Sequence, residues 1–213
     1  KELPFSVEET KSILSAIFLD GKPWYSNQEP HLDIIIPAKE DWLVTLPTGG
    51  GKSLLFQGPA ILRNAFTNRL TIVITPLRAL MQDQVEALWD KGFYGGVEYL
   101  NADRGTDAKL IYKAMASGEI ALLFITPERF RSGAFKKALN IRIKTDGGLE
   151  YAVFDEAHCL SQWGHEFRPD YFNSAKEVTY LKKASSEYFP LLLFSATVSK
   201  KIYDDFNTIF YEN

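Results

Sequence analysis

The stretch Pro47-Thr48-Gly49-Gly50-Gly51-Lys52-Ser53 follows a short apolar run, Trp42 to Leu46, and leads into a segment of helical periodicity that opens at Lys52. Three consecutive glycines let the backbone curl until successive N–H groups point at one place, and a helix N-terminus adds partial positive charge there. Such a place holds phosphate. Thr48, Gly49, Gly50 and Gly51 would supply the cradle, Lys52 would meet the β- and γ-phosphates of a nucleoside triphosphate, and the Ser53 hydroxyl would ligate magnesium. The strict spacing G-x-x-x-x-G-K-[ST] fails at its first position, where this chain has Leu46. A purely structural glycine turn is the alternative, and it leaves the order strand, loop, helix unexplained.

Far downstream, Tyr151-Ala152-Val153-Phe154 delivers Asp155-Glu156-Ala157-His158. Four apolar residues followed by two carboxylates place the acids at the end of a buried strand. Asp155 would hold Mg2+ through its water shell. Glu156 would orient and deprotonate the attacking water, which needs a carboxylate about one water from the γ-phosphate. A bare D-E-x-H occurs by chance, but together with the loop ending at Ser53 it points to hydrolysis of ATP with magnesium.

The elements that must position these groups follow from hydrophobic patterning. Near-continuous apolar runs at Trp42 to Leu46, Leu70 to Thr75, Ala121 to Thr126, Tyr151 to Asp155 and Leu191 to Ser195 read as strands buried on both faces. Between them lie helix candidates at Lys52 to Arg63, Leu77 to Lys91, Asp107 to Ser117, Tyr171 to Lys182 and Ser199 to Phe210. An N-terminal helix should precede the sheet, since Ser6-Val7-Glu8-Glu9 has the capping-box form and Ile13, Leu14, Ile17 and Phe18 follow at helical spacing. The alternation predicts an α/β domain, a largely parallel twisted sheet with helices on both faces and ligands at the carboxyl ends of its strands.

Composition sets the outer limits. A chain of 213 residues that is 46% hydrophobic has room for one buried core, so 1–213 reads as one domain with 1–40 as a helical lead-in. No apolar run approaches the length that spans a bilayer, no signal peptide is visible, and one cysteine, Cys159, can form no internal disulfide. A soluble protein of a reducing compartment is expected, cytoplasmic or, in a eukaryote, nuclear. A net charge of −3 gives no bulk attraction for nucleic acid, so any contact must be local. The basic group Lys136, Lys137, Arg142 and Lys144 reads as a solvated face.

The P-T-G-x-G-K-S form and the D-E-A-H tetrapeptide resemble superfamily-two helicases. The seventeen residues from Asp155 to Tyr171, with Cys159-Leu160-Ser161-Gln162-Trp163-Gly164-His165-Glu166-Phe167-Arg168-Pro169-Asp170 between the box and the tyrosine, resemble the RecQ signature. The resemblance implies a RecA-like first domain of an ATP-dependent DNA helicase that moves 3′ to 5′ on single-stranded DNA and unwinds duplex DNA. It also implies an aromatic loop that senses the strand, in which Trp163 and Phe167 would stack on bases, Arg168 would meet phosphate, His165 would join them and Gly164 would give freedom to move. Simple core aromatics are the alternative for Trp163 and Phe167. His158, Gln162, Ser195 and Thr197, the last two in Leu193-Phe194-Ser195-Ala196-Thr197, would couple nucleotide state to the strand. Thr75 and Arg78 in Thr75-Pro76-Leu77-Arg78, and Thr126 and Arg129 in Thr126-Pro127-Glu128-Arg129, match the places where family members touch the DNA backbone.

Two departures stand out. Where RecQ proteins carry F-R-x-x-Q for adenine, this chain has Trp24-Tyr25-Ser26-Asn27-Gln28, with Tyr25 in place of arginine and a spacing to the phosphate loop one residue longer. Trp24, Tyr25 and Gln28 are the expected adenine contacts, by stacking and by pairing with the Hoogsteen edge. Arg78 stands where an apolar residue is usual. Helicases of this type also need a second RecA-like domain with an arginine finger, which nothing after Thr197 supplies, so the isolated chain should bind nucleotide and hydrolyse it poorly. Two rival functions are a nucleotide-gated nucleic-acid binding module, which the intact Lys52, Asp155 and Glu156 disfavour, and an RNA helicase.

Overall fold

A computed structural model describes residues 2–47, 51–145 and 147–212, with only the backbone of Thr145 considered. Thr48, Gly49 and Gly50 of the expected phosphate cradle lie outside the described residues.

The chain runs α1 (Val7–Phe18), α2 (Glu29–Ile35), β1 (Trp42–Thr45), α3 (Leu54–Thr67), β2 (Leu70–Ile74), α4 (Arg78–Asp90), β3 (Val97–Leu100), α5 (Ala108–Ala116), β4 (Leu122–Ile125), α6 (Gly133–Thr145), β5 (Leu149–Phe154), α7 (Pro169–Ala184), β6 (Leu191–Ser195) and α8 (Lys200–Tyr211). All strand pairings are parallel, in the order β1-β6-β5-β2-β4-β3. The sheet of the RecA-like class read from the sequence is thus present, and every strand points its carboxyl end to the same edge.

Period-2 geometry explains the apolar runs. Tyr151 and Val153 of β5 enter one core with Val73, Phe56 and Phe194, while Ala152 and Phe154 enter the opposite core with Ile72, Ile74 and Phe210. A strand packed on both faces has no polar side to alternate with. The Ser6 box forms as expected: Ser6 N–H donates to Glu9 Oε2 at 2.8 Å, and Glu9 N–H donates to Ser6 Oγ at 3.2 Å.

Three elements lay hidden. β3 is preceded by Gly95-Gly96 and interrupted by Glu98, which mask a buried edge strand. α2 has only 7 residues, too few to show a helical period. α6 contains the basic group taken for a solvated face: Lys137 and Lys144 are exposed and Lys136 partly so, but for Arg142 the expectation needs correcting. Phe135, Ala138 and Leu139 pack inward, and Arg142 is itself fully buried, its guanidinium donating to the Asn68 carbonyl. The basic residues had obscured the apolar stripe. Helix α3 starts at Leu54, later than expected, with Ser53 helical in backbone and making no side-chain cap; it continues through Pro59 to Asn68, whose left-handed φ of 56° ends it.

The edge opposite the carboxyl ends is held by buried charge. Arg63 of α3 pairs through Nε with Glu150 of β5, and Nη1 donates to the Ile36 carbonyl at 3.0 Å. Thr67 Oγ1 lies 2.7 Å from the second Glu150 oxygen. No described helix is long and apolar enough to cross a membrane.

Candidate nucleotide and nucleic-acid site

At the carboxyl edge the phosphate loop re-enters the described structure at Gly51. Its φ of +75° is a backbone conformation that favours glycine, and a Cβ there would meet the mobile end of the Gln28 side chain. Gln28 is buried, its Nε2 donating to Gly51 O at 3.3 Å and its Oε1 accepting from Tyr25 N–H at 3.0 Å. The adenine segment is thereby tied to the phosphate loop. Tyr25 is 69% exposed and presents its ring, whereas Trp24 is buried and donates its indole N–H to Lys11 O at 3.0 Å. Trp24 is therefore a core residue, not a ring offered to a base.

Strand β5 ends at Phe154, and the chain turns at once: Glu156 adopts the left-handed region at φ 52°, ψ 47°. Asp155 N–H donates to Ile74 O at 3.0 Å and Glu156 N–H donates to Asp155 Oδ1 at 3.0 Å. Tyr171 of α7, fully buried, directs its hydroxyl at Ile74 O (2.9 Å) and at Asp155 O, closing the ends of β2 and β5 together. Burial and the neighbouring Glu156 carboxylate raise the Asp155 carboxyl to about 6, and the Lys52 ammonium offsets only part of that. A nearly buried carboxylate with incomplete compensation, facing a lysine, suits a divalent cation and phosphate. Asp155 and Ser53 are the residues that would hold magnesium, and Lys52 would meet phosphate oxygens.

His158 sits in the 3-10 turn Ala157–Leu160 and reaches two ways. Its Nδ1 lies 2.9 Å from Ser195 Oγ, at the end of β6, and its Nε2 lies 3.0 Å from Glu166 Oε2. Ser195 Oγ also lies 3.1 Å from Thr197 O, so its single proton serves either the ring or that carbonyl. A Glu156 oxygen is 3.5 Å from the same Nδ1. The acid turn, the loop after it and the Ser195-Ala196-Thr197 segment are thus joined through one imidazole. The Thr197 part is its carbonyl rather than its hydroxyl. Glu166 holds the far nitrogen and is itself acidified by that bond; sequence reasoning had given it no role. Cys159 is buried, and burial pushes its thiol up to about 11, so it stays a packed, protonated side chain.

In the loop, Gln162, His165 and Arg168 are exposed, and Trp163 is 64% exposed, which removes the core-aromatic alternative for it. Phe167 is half-buried and leans edgewise on Phe172 with centroids 6.4 Å apart. Gly164 also answers a steric demand. A Cβ on Gly164 would lie 2.7 Å from the His158 carbonyl oxygen, so glycine permits close approach.

Of the expected backbone-contact residues, only Arg78 faces solvent freely. Thr75 and Thr126 are buried, and Thr75 Oγ1 accepts from Leu77 N–H at 3.3 Å, a turn-capping bond. Arg129 donates to Tyr112 Oη at 3.2 Å and Asn101 O at 3.0 Å, so its guanidinium braces α5 against the loop after β3.

Residues 25–206 match the sequence model of the family described as DEAD/DEAH box helicase. Over 165 residues the chain is 39% identical to "ATP-dependent helicase SGS1" of Saccharomyces cerevisiae, covering 76% of this chain and 11% of that protein. Over 195 residues it is 33% identical to "ATP-dependent DNA helicase RecQ" of Bacillus subtilis, covering 90% of this chain and 30% of that one. The chain therefore spans less than a third of either relative. The crystal structure of a hypothetical ATP-dependent RNA helicase from Sulfolobus tokodaii superposes with a TM-score of 0.65 over 97% of this chain and 54% of that one, at 20% identity, a likeness of fold alone.

Proposed function

Because the chain belongs to the DEAD/DEAH box helicase family and is RecQ-like in sequence, we propose that it is the first RecA-like domain of an ATP-dependent DNA helicase that moves 3′ to 5′ on single-stranded DNA. The observation that carries this is the junction at His158, which bonds Ser195 and Glu166 at once and so links the hydrolytic turn to the exposed loop bearing Trp163. A nucleotide-gated binding module would use the same link, and it is the set Lys52, Asp155 and Glu156 that favours turnover.

Lys52 and the glycine loop hold the triphosphate, with Tyr25 beside the base. Gln28 leaves Gly51 O when it turns to adenine. Bound Mg2+ supplies charge stabilisation for the phosphoryl group in flight. Glu156 takes the proton of the attacking water, and its left-handed backbone aims it away from the β5 strand direction. Trp163 stacks on a base, with Arg168 and Arg78 near phosphate. A second RecA-like domain completes the site with an arginine, which stabilises charge on the γ-phosphate.

The test is Glu156→Gln in the full-length protein, followed by Mg–ATP affinity and by ATPase with single-stranded DNA or RNA. Affinity should stay within a few-fold while turnover falls by about 10² or more, and wild-type turnover should rise with DNA in preference to RNA. Loss of ATP binding in this variant would make Glu156 a structural residue or ligand. Equal stimulation by RNA would move the substrate to the other nucleic acid.

A further inference from the structure

The loop after the acid turn is also fastened from a second direction. Helix α8 begins directly after the Ser195-Ala196-Thr197 segment, with Ser199 as its cap, Oγ accepting from Ile202 N–H at 3.3 Å. Its apolar face is buried through Phe206, Ile209 and Phe210, and Phe210 lies edgewise on Phe154, 5.4 Å between centroids, one residue before Asp155. From this anchored helix Asp205 points a carboxylate at the root of the loop. One oxygen, Oδ2, accepts from Ser161 Oγ at 2.7 Å and from Gln162 N–H at 3.3 Å. Ser161 is fully buried, and its Oγ in turn accepts from Trp163 N–H at 3.1 Å. One turn earlier on α8, the Lys201 ammonium sits 4.8 Å over the Trp163 ring.

We propose that Asp205 is the positioning residue that couples the aromatic loop to the hydrolytic site. It fixes residues 161 and 162 to the helix that continues from β6, while Trp163, His165 and Glu166 of the tip stay exposed. A base stacking on Trp163 then pulls on a root that cannot slide, and the displacement passes to α8 and to the Ser195–His158 contact instead of being lost in slack. The inference rests on the chain being part of a DNA-stimulated ATPase. The bonds of Asp205 go to Ser161 and Gln162 and to none of Lys52, Asp155 or Glu156, so basal hydrolysis does not depend on it.

The test compares Asp205→Ala and Asp205→Asn in the full-length protein. The readouts are ATPase with and without a single-stranded DNA oligonucleotide, and hydrogen exchange of residues 161–168. Alanine should leave DNA-free turnover within about twofold and cut the stimulation factor by about tenfold, the scale of one charge-assisted hydrogen bond. Exchange at Gln162 and Trp163 should quicken. Asparagine can present a carbonyl oxygen where Oδ2 stands and should restore most of both. Unchanged stimulation in the alanine variant overturns the proposal, as does an equal fall in basal and stimulated turnover or an asparagine variant that behaves like alanine. A wild-type protein with no response to single-stranded DNA would remove the helicase assignment itself and this inference with it. Stimulation that is normal in both wild type and Asp205→Ala removes the inference alone.

Discussion

Gly164→Ala isolates the packing of the loop from its chemistry. The added methyl would stand 2.7 Å from the His158 carbonyl oxygen and 3.3 Å from that of Ser161. Both obstacles are backbone, so no rotamer change relieves them, and ordinary contact at 3.4 Å or more needs the two backbone segments to part by about 0.7 Å or more. If the fold holds its position, overpacking of this kind costs about 1–3 kcal/mol, which in a domain this size lowers the melting temperature by about 2–12 °C. If the loop yields instead, His158 shifts with its own carbonyl and its 2.9 Å contact with Ser195 opens. The strain must then appear as lost stimulation of ATPase by single-stranded DNA. Thermal unfolding and ATPase titration on the same preparation read both exits. A variant that melts like wild type and responds to DNA like wild type would show that the close approach is not a constraint, and would refute the reasoning.

Two further outcomes follow from the charges. In metal-free, nucleotide-free protein, Asp155 is raised from 3.8 to about 6, so folding takes up a proton in that window and wild-type stability falls as pH rises through it. A gap of about two pH units at about 1.4 kcal/mol each makes Asp155→Asn more stable than wild type by about 3 kcal/mol at pH 7 and about equal at pH 4; chemical denaturation at both values checks it, and a less stable asparagine variant at pH 7 contradicts it. At the opposite edge, Glu150→Ala strands the buried Arg63 without its carboxylate and should cost about 3–5 kcal/mol. Nucleotide affinity of the folded fraction should be unchanged, and an unaltered unfolding midpoint would mean the pair contributes nothing.

Local signals were the readable ones. The glycine loop, the acid pair and the Ser6 box each lie within a few consecutive residues, and their meaning depends on neighbours along the chain. The strands β2, β4, β5 and β6 were visible because burial on both faces leaves mainly apolar residues, and β1 because Trp42, Leu43 and Val44 run together. What depended on distant packing was not visible. Trp24 and Arg142 carry a polar group each, and nothing nearby says that Lys11 O and Asn68 O will satisfy them in the interior. Thr75 and Thr126 have the side chains of phosphate contacts and the burial of caps. Asp205 lies 44 residues from Ser161, on a helix whose adjacent acids Asp204 and Asp205 look alike until the fold shows which one turns inward. A period-3.6 pattern of buried Phe206, Ile209 and Phe210 was the available clue, since it fixes which side of α8 the neighbouring acid must flank.

The order β1-β6-β5 acts as a ruler. Neighbouring strands stand about 4.8 Å apart, so the phosphate loop and Asp155 rise from strands separated by roughly 10 Å with β6 between them. That width is fixed by backbone hydrogen bonding and is independent of any side chain. The middle strand ends at Ser195 and is followed by Ala196, both small residues. A bulky residue at position 196 would fill the interval, and a strand inserted beside β6 would widen it by another step; neither change could be repaired by adjusting Lys52 or Glu156. The separation between the end of β1, which leads toward Lys52, and the acid turn at Asp155 is thus inherited from strand count.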